Sequence, residues 1–459
     1  MQSLYQIGGF TTLVTLLLAL VSQASQGLAE EEARPNIVFI LADDYGLDGV
    51  GCYGSDRFKT PNIDRLAAEG IRFENCYSTP LCGPTRCVFI TGRYGFRTGG
   101  LTNQTANQPL PSQEPSIAKA LKEAGYVTGM CGKWRQMGSL PGDWGFDEYL
   151  ADPTAGGYFW EKSYTKNGQL VELNEVVYYP DVAHEFALDF IRRHKDQPFF
   201  FYYSSHLVHG PILPTPDSPV GPEGRPPKGL KTGAGPAQQY YPDNVAYLDK
   251  QVGSLIAELD RLGLREKTVI LFSADNGTAV QSETIRGRQI NGHKGTMLEG
   301  GARVPLIVSW KGKSPAGKVL QDLVDFSDFF PTFCELAGAK LPSGFVFDGR
   351  SFAPQLRGEK GNPRDWIFVQ LGPRWYVREM KWKLNEAGEL YDMTDAPFVE
   401  KLVPAEGQDA EAAAARTRLQ AVLNQLNPAG GKTAPPDKPR PRPGRRQAQP
   451  ASGATPANR

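Results

Sequence analysis

The sequence predicts an α/β protein: a large, mostly parallel sheet flanked by helices, then a smaller C-terminal domain with a short antiparallel sheet and a helix. Three features predict it. Short apolar runs recur between positions 36 and 309. Stretches of helical periodicity lie between them. Beyond residue 361 the pattern changes to closely mixed aromatic and polar residues.

The runs at 36–42 (NIVFILA), 126–130 (YVTGM), 198–203 (PFFFYY), 268–273 (TVILFS) and 304–309 (VPLIVS) are the predicted strands. Their apolar character is continuous rather than alternating, which suits strands covered on both faces. Helices are predicted at 117–124, at 181–193 and at 243–262. The second places Val182, Phe186, Phe190 and Ile191 on one side; the third does so with Val245, Leu248, Val252, Leu255, Ile256 and Leu259. Strands alternating with helices give an α/β sheet. The stretch 211–239 is rich in Pro and Gly and has no period, so it is a long surface loop, either a lid or a plain insertion. The mixed pattern at 362–390 suits a small antiparallel sheet, and 410–426 a final helix. The expected division is a signal peptide at 1–29, the large α/β domain at 30–360, a C-terminal subdomain at 361–428 and a disordered basic tail at 429–459.

Composition narrows the function. The chain carries 50 basic and 50 acidic residues, which argues against a general nucleic-acid binder. The tail is the uneven part, with seven Lys or Arg and one Asp. Residues 13–21 (LVTLLLALV) form an apolar core followed by small residues, the pattern of a cleaved export signal, although no Lys or Arg precedes it. The run is shorter than the ~20 residues a spanning helix needs. The expectation is an exported protein, periplasmic or secreted, with no stable membrane span. The six cysteines (Cys52, Cys76, Cys82, Cys87, Cys131, Cys334) show no regular spacing, and Cys87, Cys131 and Cys334 sit in apolar stretches that suit buried thiols.

Polar residues collect just after the predicted strands. Asp43-Asp44 follow the first; Asp275-Asn276 follow 268–273; His206 and His209 follow 198–203; Lys133 follows 126–130. Open parallel sheets bind ligands at the carboxyl ends of their strands. Three carboxylates and an amide oxygen are a hard, all-oxygen set suited to Ca²⁺ or Mg²⁺. Either acidic pair alone is equally a turn or a helix cap; their placement at two strand ends gives them weight. Pro84 suits the first turn of a helix running to about Thr91, so Cys82 lies at its N-terminus and Arg86 one turn on. That geometry holds a negatively charged nucleophile or an anionic substrate.

Cys82-Gly83-Pro84-Thr85-Arg86, followed by Thr91-Gly92-Arg93, resembles the signature of the formylglycine-dependent sulfatases, within the alkaline-phosphatase-like superfamily. The resemblance extends through NIVFILADDYGLD (36–48), GYVTGMCGKW (125–134), HGP (209–211), YLDKQVGSLIAEL (247–259), ILFSADNG (270–277), GHKGTMLEGGARVP (292–305) and ELYDMTD (389–395). It implies that a separate maturation enzyme oxidises Cys82 to formylglycine. One hydroxyl of the hydrated aldehyde would attack sulfur, and the other would expel sulfate. It also implies a Ca²⁺ shell, with Mg²⁺ as the alternative, of Asp43, Asp44, Asp275, Asn276 and the modified Cys82. Arg86 would hold the diol, Lys133 and Lys294 would contact sulfate oxygens, and His209 would stand near the leaving oxygen. The implied substrate is a sulfated small molecule or polysaccharide.

One position departs from the family pattern. Arg135 stands where a histidine is usual, and a guanidinium is no base near neutral pH. Asp275, His206 or His293 would then take that role, or collapse of the diol is slower, or Arg135 binds a second anionic group. His184 and His194 lie on or beside a helix and suit surface or packing roles. Asn103-Gln104-Thr105 and Asn276-Gly277-Thr278 both match the N-glycosylation pattern, the second inside the implied metal set. The rival readings are a phosphate mono- or diesterase on the same architecture and a non-catalytic sulfated-glycan-binding protein. Specificity is expected from 139–180 and 211–240.

Overall fold

A computed structural model describes residues 34–134, 137–151, 159–219, 239–280 and 283–433. The segment expected to be an export signal, Arg135, most of the 211–239 stretch and most of the basic tail lie outside the described residues.

The main sheet has ten strands. In chain order they are β1 (Asn36–Ala42), β2 (Ile71–Tyr77), β3 (Val127–Gly132), β4 (Glu148–Ala151), β5 (Trp160–Lys166), β6 (Gln169–Tyr178), β7 (Phe199–Ser204), β8 (Thr268–Ala274), and, after a two-residue hairpin of β9 (Thr284–Ile285) and β10 (Arg288–Gln289), β11 (Arg303–Ser309) and β12 (Lys318–Asp325). Their spatial order is β12-β2-β11-β8-β1-β7-β3-β4-β5-β6. The centre, β8-β1-β7-β3-β4, is parallel. β11 has the same unbroken apolar character as its neighbours, yet it runs antiparallel to both β8 and β2. Burial on two faces, not strand direction, is what such a run encodes. Residues 160–178, expected as a specificity loop, instead pair as β5 and β6 and extend the sheet to an exposed edge.

Helices cover both faces. On one lie α1 (Pro61–Ala68), α4 (Tyr179–Arg193) and α5 (Tyr241–Arg261); on the other lie α2 (Cys82–Thr91), α3 (Ile117–Glu123) and α6 (Phe329–Ala337). Odd and even residues of a strand face opposite ways, so each strand feeds both layers. Phe39 of β1 packs on Phe89 of α2 and Phe329 of α6, with ring centroids 4.7 and 5.0 Å away. Its neighbour Ile40 faces Leu248, Val252 and Leu255 of α5. Truncating a ring buried like Phe39 to alanine costs about 3–5 kcal/mol.

The C-terminal sheet comprises β13 (Ile367–Leu371), β14 (Arg374–Arg378), β15 (Trp382–Asn385), β16 (Leu390–Asp392) and β17 (Lys401–Val403), all antiparallel. The sequence pattern stops at residue 390; the last two strands are only three residues long and carry little signal. Helix α7 (Ala410–Leu426) covers this sheet with Ala412, Ala415, Leu419 and Leu423, and Asp409 caps it by accepting from the Ala412 N–H at 2.8 Å. All six cysteines are free thiols, and all but Cys52 are buried.

Candidate active site

Two adjacent strands create the floor of the site. β1 and β8 pair in register from Asn36↔Thr268 to Ala42↔Ala274, so Asp43-Asp44 and Asp275-Asn276 leave the sheet side by side. The Asp275 N–H donates to the Ala42 carbonyl at 3.0 Å, and the Asp44 N–H donates to Asp275 Oδ1 at 3.1 Å. Asp44 takes a left-handed backbone (φ 60°), uncommon for a residue with a side chain.

Helix α2 delivers Cys82 to this floor. Its Sγ lies 3.5 Å from Asp43 Oδ1 and 3.7 Å from Asp44 Oδ1. No side chain of the preceding Leu81 caps the helix; the Gly83 N–H donates instead to Asn103 Oδ1 at 2.8 Å. Burial and the Asp275, Asp43 and Asp44 carboxylates push the Cys82 thiol far above its ordinary range. Arg86, one turn on, is buried and forks onto Asp275 Oδ2 at 2.7 and 3.1 Å. It also donates to Tyr202 Oη at 3.1 Å and to Ser204 Oγ.

Two lysines and a histidine close the ring. Lys133, just past β3, pairs with Asp43 Oδ2. Lys294, on the loop after β10, pairs with Asp44 Oδ1. His209, beyond β7, lies 3.7 Å from Asp44 Oδ2 through Nε2, while Nδ1 faces the Gly210 carbonyl. His209 and Lys294 keep 19% and 17% of their side chains exposed, whereas Asp43 and Lys133 keep none. The site therefore opens on the His209–Lys294 side. Burial pushes the Asp43 carboxyl up, but Lys133, His209 and Arg86 outweigh it and bring it down to about 2. Asp44 is lowered against the same burial, chiefly by His209 and Lys294. Burial lowers His209 against the pull of Asp43 and Asp44.

A divalent cation fits this set. Ligand atoms of Asp43, Asp44, Cys82 and His209 lie within 4.8 Å of one another. Asn276 donates its Nδ2 to Asp44 Oδ1 at 2.9 Å, which leaves its buried Oδ1 without a hydrogen-bond partner. Buried amide oxygens are normally satisfied, and an oxygen lone pair beside three carboxylates suits a hard ion. Asp43, Asp44, Asp275, Asn276, Cys82, Arg86, Lys133, His209 and Lys294 thus meet in one place.

Other residues fall elsewhere. His206 is buried, edge-on to the Tyr179 ring at 5.2 Å. His293 is exposed and its Nδ1 meets the Lys294 carbonyl at 2.9 Å. His194 pairs with Glu148 and His184 with Ser254, both away from the floor. Asn276 is fully buried, so its glycosylation pattern is inert. Sequence reasoning missed Tyr202, Ser204 and Asn103. Ser204 and Tyr202 belong to an apolar strand where a hydroxyl signals nothing by itself, and Asn103 lies in a loop brought to the helix only by folding.

The sulfatase family model matches residues 35–339. The N-acetylgalactosamine-6-sulfatase of Canis lupus familiaris is 34% identical over 394 residues, covering 78% of this chain and 72% of that protein. Human (Homo sapiens) arylsulfatase A is also 34% identical over 394 residues, covering 77% and 73%. The crystal structure of Ps i-CgsB superposes with a TM-score of 0.71 at 26% identity, covering 87% of this chain and 94% of that one. The matched region spans both acidic strand ends, the cysteine helix and the Lys294 loop, and on these matches the chain belongs to the sulfatase family of sulfuric ester hydrolases.

Proposed function

We propose that this chain hydrolyses sulfate esters through a formylglycine made from Cys82, held against Ca²⁺, and that its substrate is a sulfated carbohydrate. One observation carries the reading: Cys82 is fully buried with its Sγ against Asp43 and Asp44, and burial first, then the Asp275, Asp43 and Asp44 carboxylates, keep its thiol protonated. A thiol in that setting is no nucleophile. The position needs a different group, and an oxygen nucleophile matches the hard donors around it. The carbohydrate reading is supported by the relative named N-acetylgalactosamine-6-sulfatase and by the structure of Ps i-CgsB with k-i-k-neocarrahexaose, at 27% identity.

When present, the hydrated aldehyde supplies two hydroxyls on one carbon, and the cation supplies positive charge beside them. Asp43, Asp44, Asp275 and the Asn276 Oδ1 would hold the cation, with Mg²⁺ as the alternative ion. The other parts fall to this chain's own side chains. Arg86, fixed by Asp275, Tyr202 and Ser204, orients the position-82 group. Lys133 and Lys294 meet the sulfate oxygens, where charge held in a low-dielectric site acts most strongly. His209 serves the leaving oxygen. Its Nδ1 faces a carbonyl and so carries a proton, which means that donation from Nε2 requires the imidazolium. Arg135, where the family commonly has histidine, is assigned the binding of a second anionic group on the substrate. The chain is exported, periplasmic or secreted, and its maturation enzyme acts on Cys82. No helix among the described residues is long and apolar enough to cross a membrane.

The test is mass spectrometry of the tryptic peptide 73–86 after thiol alkylation, on protein from its native source or from a host with a maturation enzyme. The peptide contains Cys76 and Cys82, so fragmentation must locate each. An aldehyde at position 82 is expected; an alkylated Cys82 overturns the mechanism. Paired sulfate and phosphate esters, compared by kcat/KM, then separate a sulfatase from a phosphoesterase.

A further inference from the structure

The loop from Asn291 to Leu298 carries Lys294 but has no regular structure of its own. It turns through Gly292 and Gly295 at φ of 90° and 80°. Its near side is tied to the catalytic floor: the Lys294 N–H donates to the Thr278 carbonyl at 3.0 Å and the Gly295 N–H to the Pro80 carbonyl at 2.8 Å. Its far side is also held by residues of the C-terminal sheet and its connections.

Three contacts grip that far side. The Asn291 N–H donates to the Pro397 carbonyl at 2.9 Å. Lys383 of β15 donates its Nζ to the Met297 carbonyl at 3.0 Å. Glu400 accepts from the Glu299 N–H at 2.8 Å. Lys383 and Glu400 also pair with each other, and both side chains are almost wholly buried. The Lys383 ammonium is flanked by the Tyr376 and Tyr391 rings, with centroids at 4.5 and 5.4 Å. A buried Lys–Glu pair is poor evidence of stability, because removing two charges from water offsets most of their attraction. Here each partner makes a hydrogen bond to backbone in or just after the loop, three and five residues beyond Lys294, that an apolar pair would lack.

We propose that Lys383 and Glu400 are positioning residues for Lys294: the buried pair fixes the Met297 carbonyl and the Glu299 N–H, and so sets the reach of the Lys294 ammonium over Asp44. The role given to Lys294 rests on the sulfatase reading; the clamp itself rests on contacts alone. The C-terminal sheet thereby acts on the reaction without touching the reacting atoms.

A double-mutant cycle tests this with 4-nitrophenyl sulfate as substrate, using full-length matured protein. Lys383→Met is expected to lower kcat/KM by about 10- to 100-fold, the range of coupling between residues sharing partners. In a Lys294→Ala background the same change is expected to shift kcat/KM by less than about twofold. Glu400→Gln keeps the shape and removes the charge, and serves if Lys383→Met does not fold. Hydrogen exchange across residues 290–300 is expected to quicken in both variants, while the β1–β8 core stays protected. Losses that multiply in the double variant, or unchanged exchange at 290–300, overturn the proposal. A matured wild-type protein that turns over neither 4-nitrophenyl sulfate nor sulfated saccharides sinks the proposed sulfate-ester hydrolysis instead, and exchange alone then decides the clamp.

Discussion

Two regions bury carboxylates against cations, and they do so to opposite effect. At the strand ends, Asp43, Asp44 and Asp275 face Arg86, Lys133 and Lys294, and Asp43 is brought down to about 2. Beneath the C-terminal sheet, Glu299 meets Arg378 at 2.9 Å and Arg303 at 3.3 Å, yet burial still pushes it up to about 7. Asp328, paired with Arg364 and crowded by Asp325, is likewise raised by burial to about 7. At Asp43 and Asp44 fixed positive charge outweighs desolvation; at Glu299 and Asp328 desolvation wins. The first arrangement keeps carboxylates ionised and ready for a cation, and opens on one side. The second is closed and binds two layers of the molecule together. A buried ion pair is therefore not one kind of feature, and the direction of the carboxyl shift tells the two apart.

The comparison breaks first if catalysis does not depend on the low-pKa cluster. Asp44→Asn is expected to lower kcat/KM by about 10³-fold, the scale of losing an electrostatic element of an active site, with melting temperature nearly unchanged. Stripping the cation with a chelator is expected to abolish activity, and Ca²⁺ to restore it. The opposite signature is expected from Arg364→Met. It strands Asp325 and Asp328 without their cation and is expected to cost about 3–5 kcal/mol in urea unfolding, while turnover per folded molecule holds.

A pH series sharpens the contrast. A carboxyl raised from 4.5 to about 7 on folding binds its proton more tightly in the native state. Glu299 thus favours folding most below its unfolded value, and that contribution is lost as pH rises through the folded value. Melting temperature is expected to fall between pH 5 and 8 by a component that Glu299→Gln removes. Asp43 has the reverse sign: its contribution is present above 3.8 and is lost as pH falls toward about 2. The smallest effect is expected at Asn103, where alanine removes the bond to the Gly83 N–H at a cost of about 1 kcal/mol.

Much of this was legible in the residues themselves. Unbroken apolar runs marked β1, β7, β8 and β11 because strands buried on both faces leave no polar alternate position, and the acids just beyond β1 and β8 had to emerge at strand ends. Pro84 marked the start of α2. Tertiary structure alone decided the rest. The antiparallel direction of β11, the extension of the sheet by half-exposed β5 and β6, and the return of the Asn103 loop to Gly83 depend on pairing between distant segments, which local pattern does not record. The same holds for the grip of Lys383 and Glu400 on the Lys294 loop. In sequence they are a charged residue in a short strand and another in a turn, and only the fold removes them from water and sets them against the backbone that bears the candidate sulfate clamp.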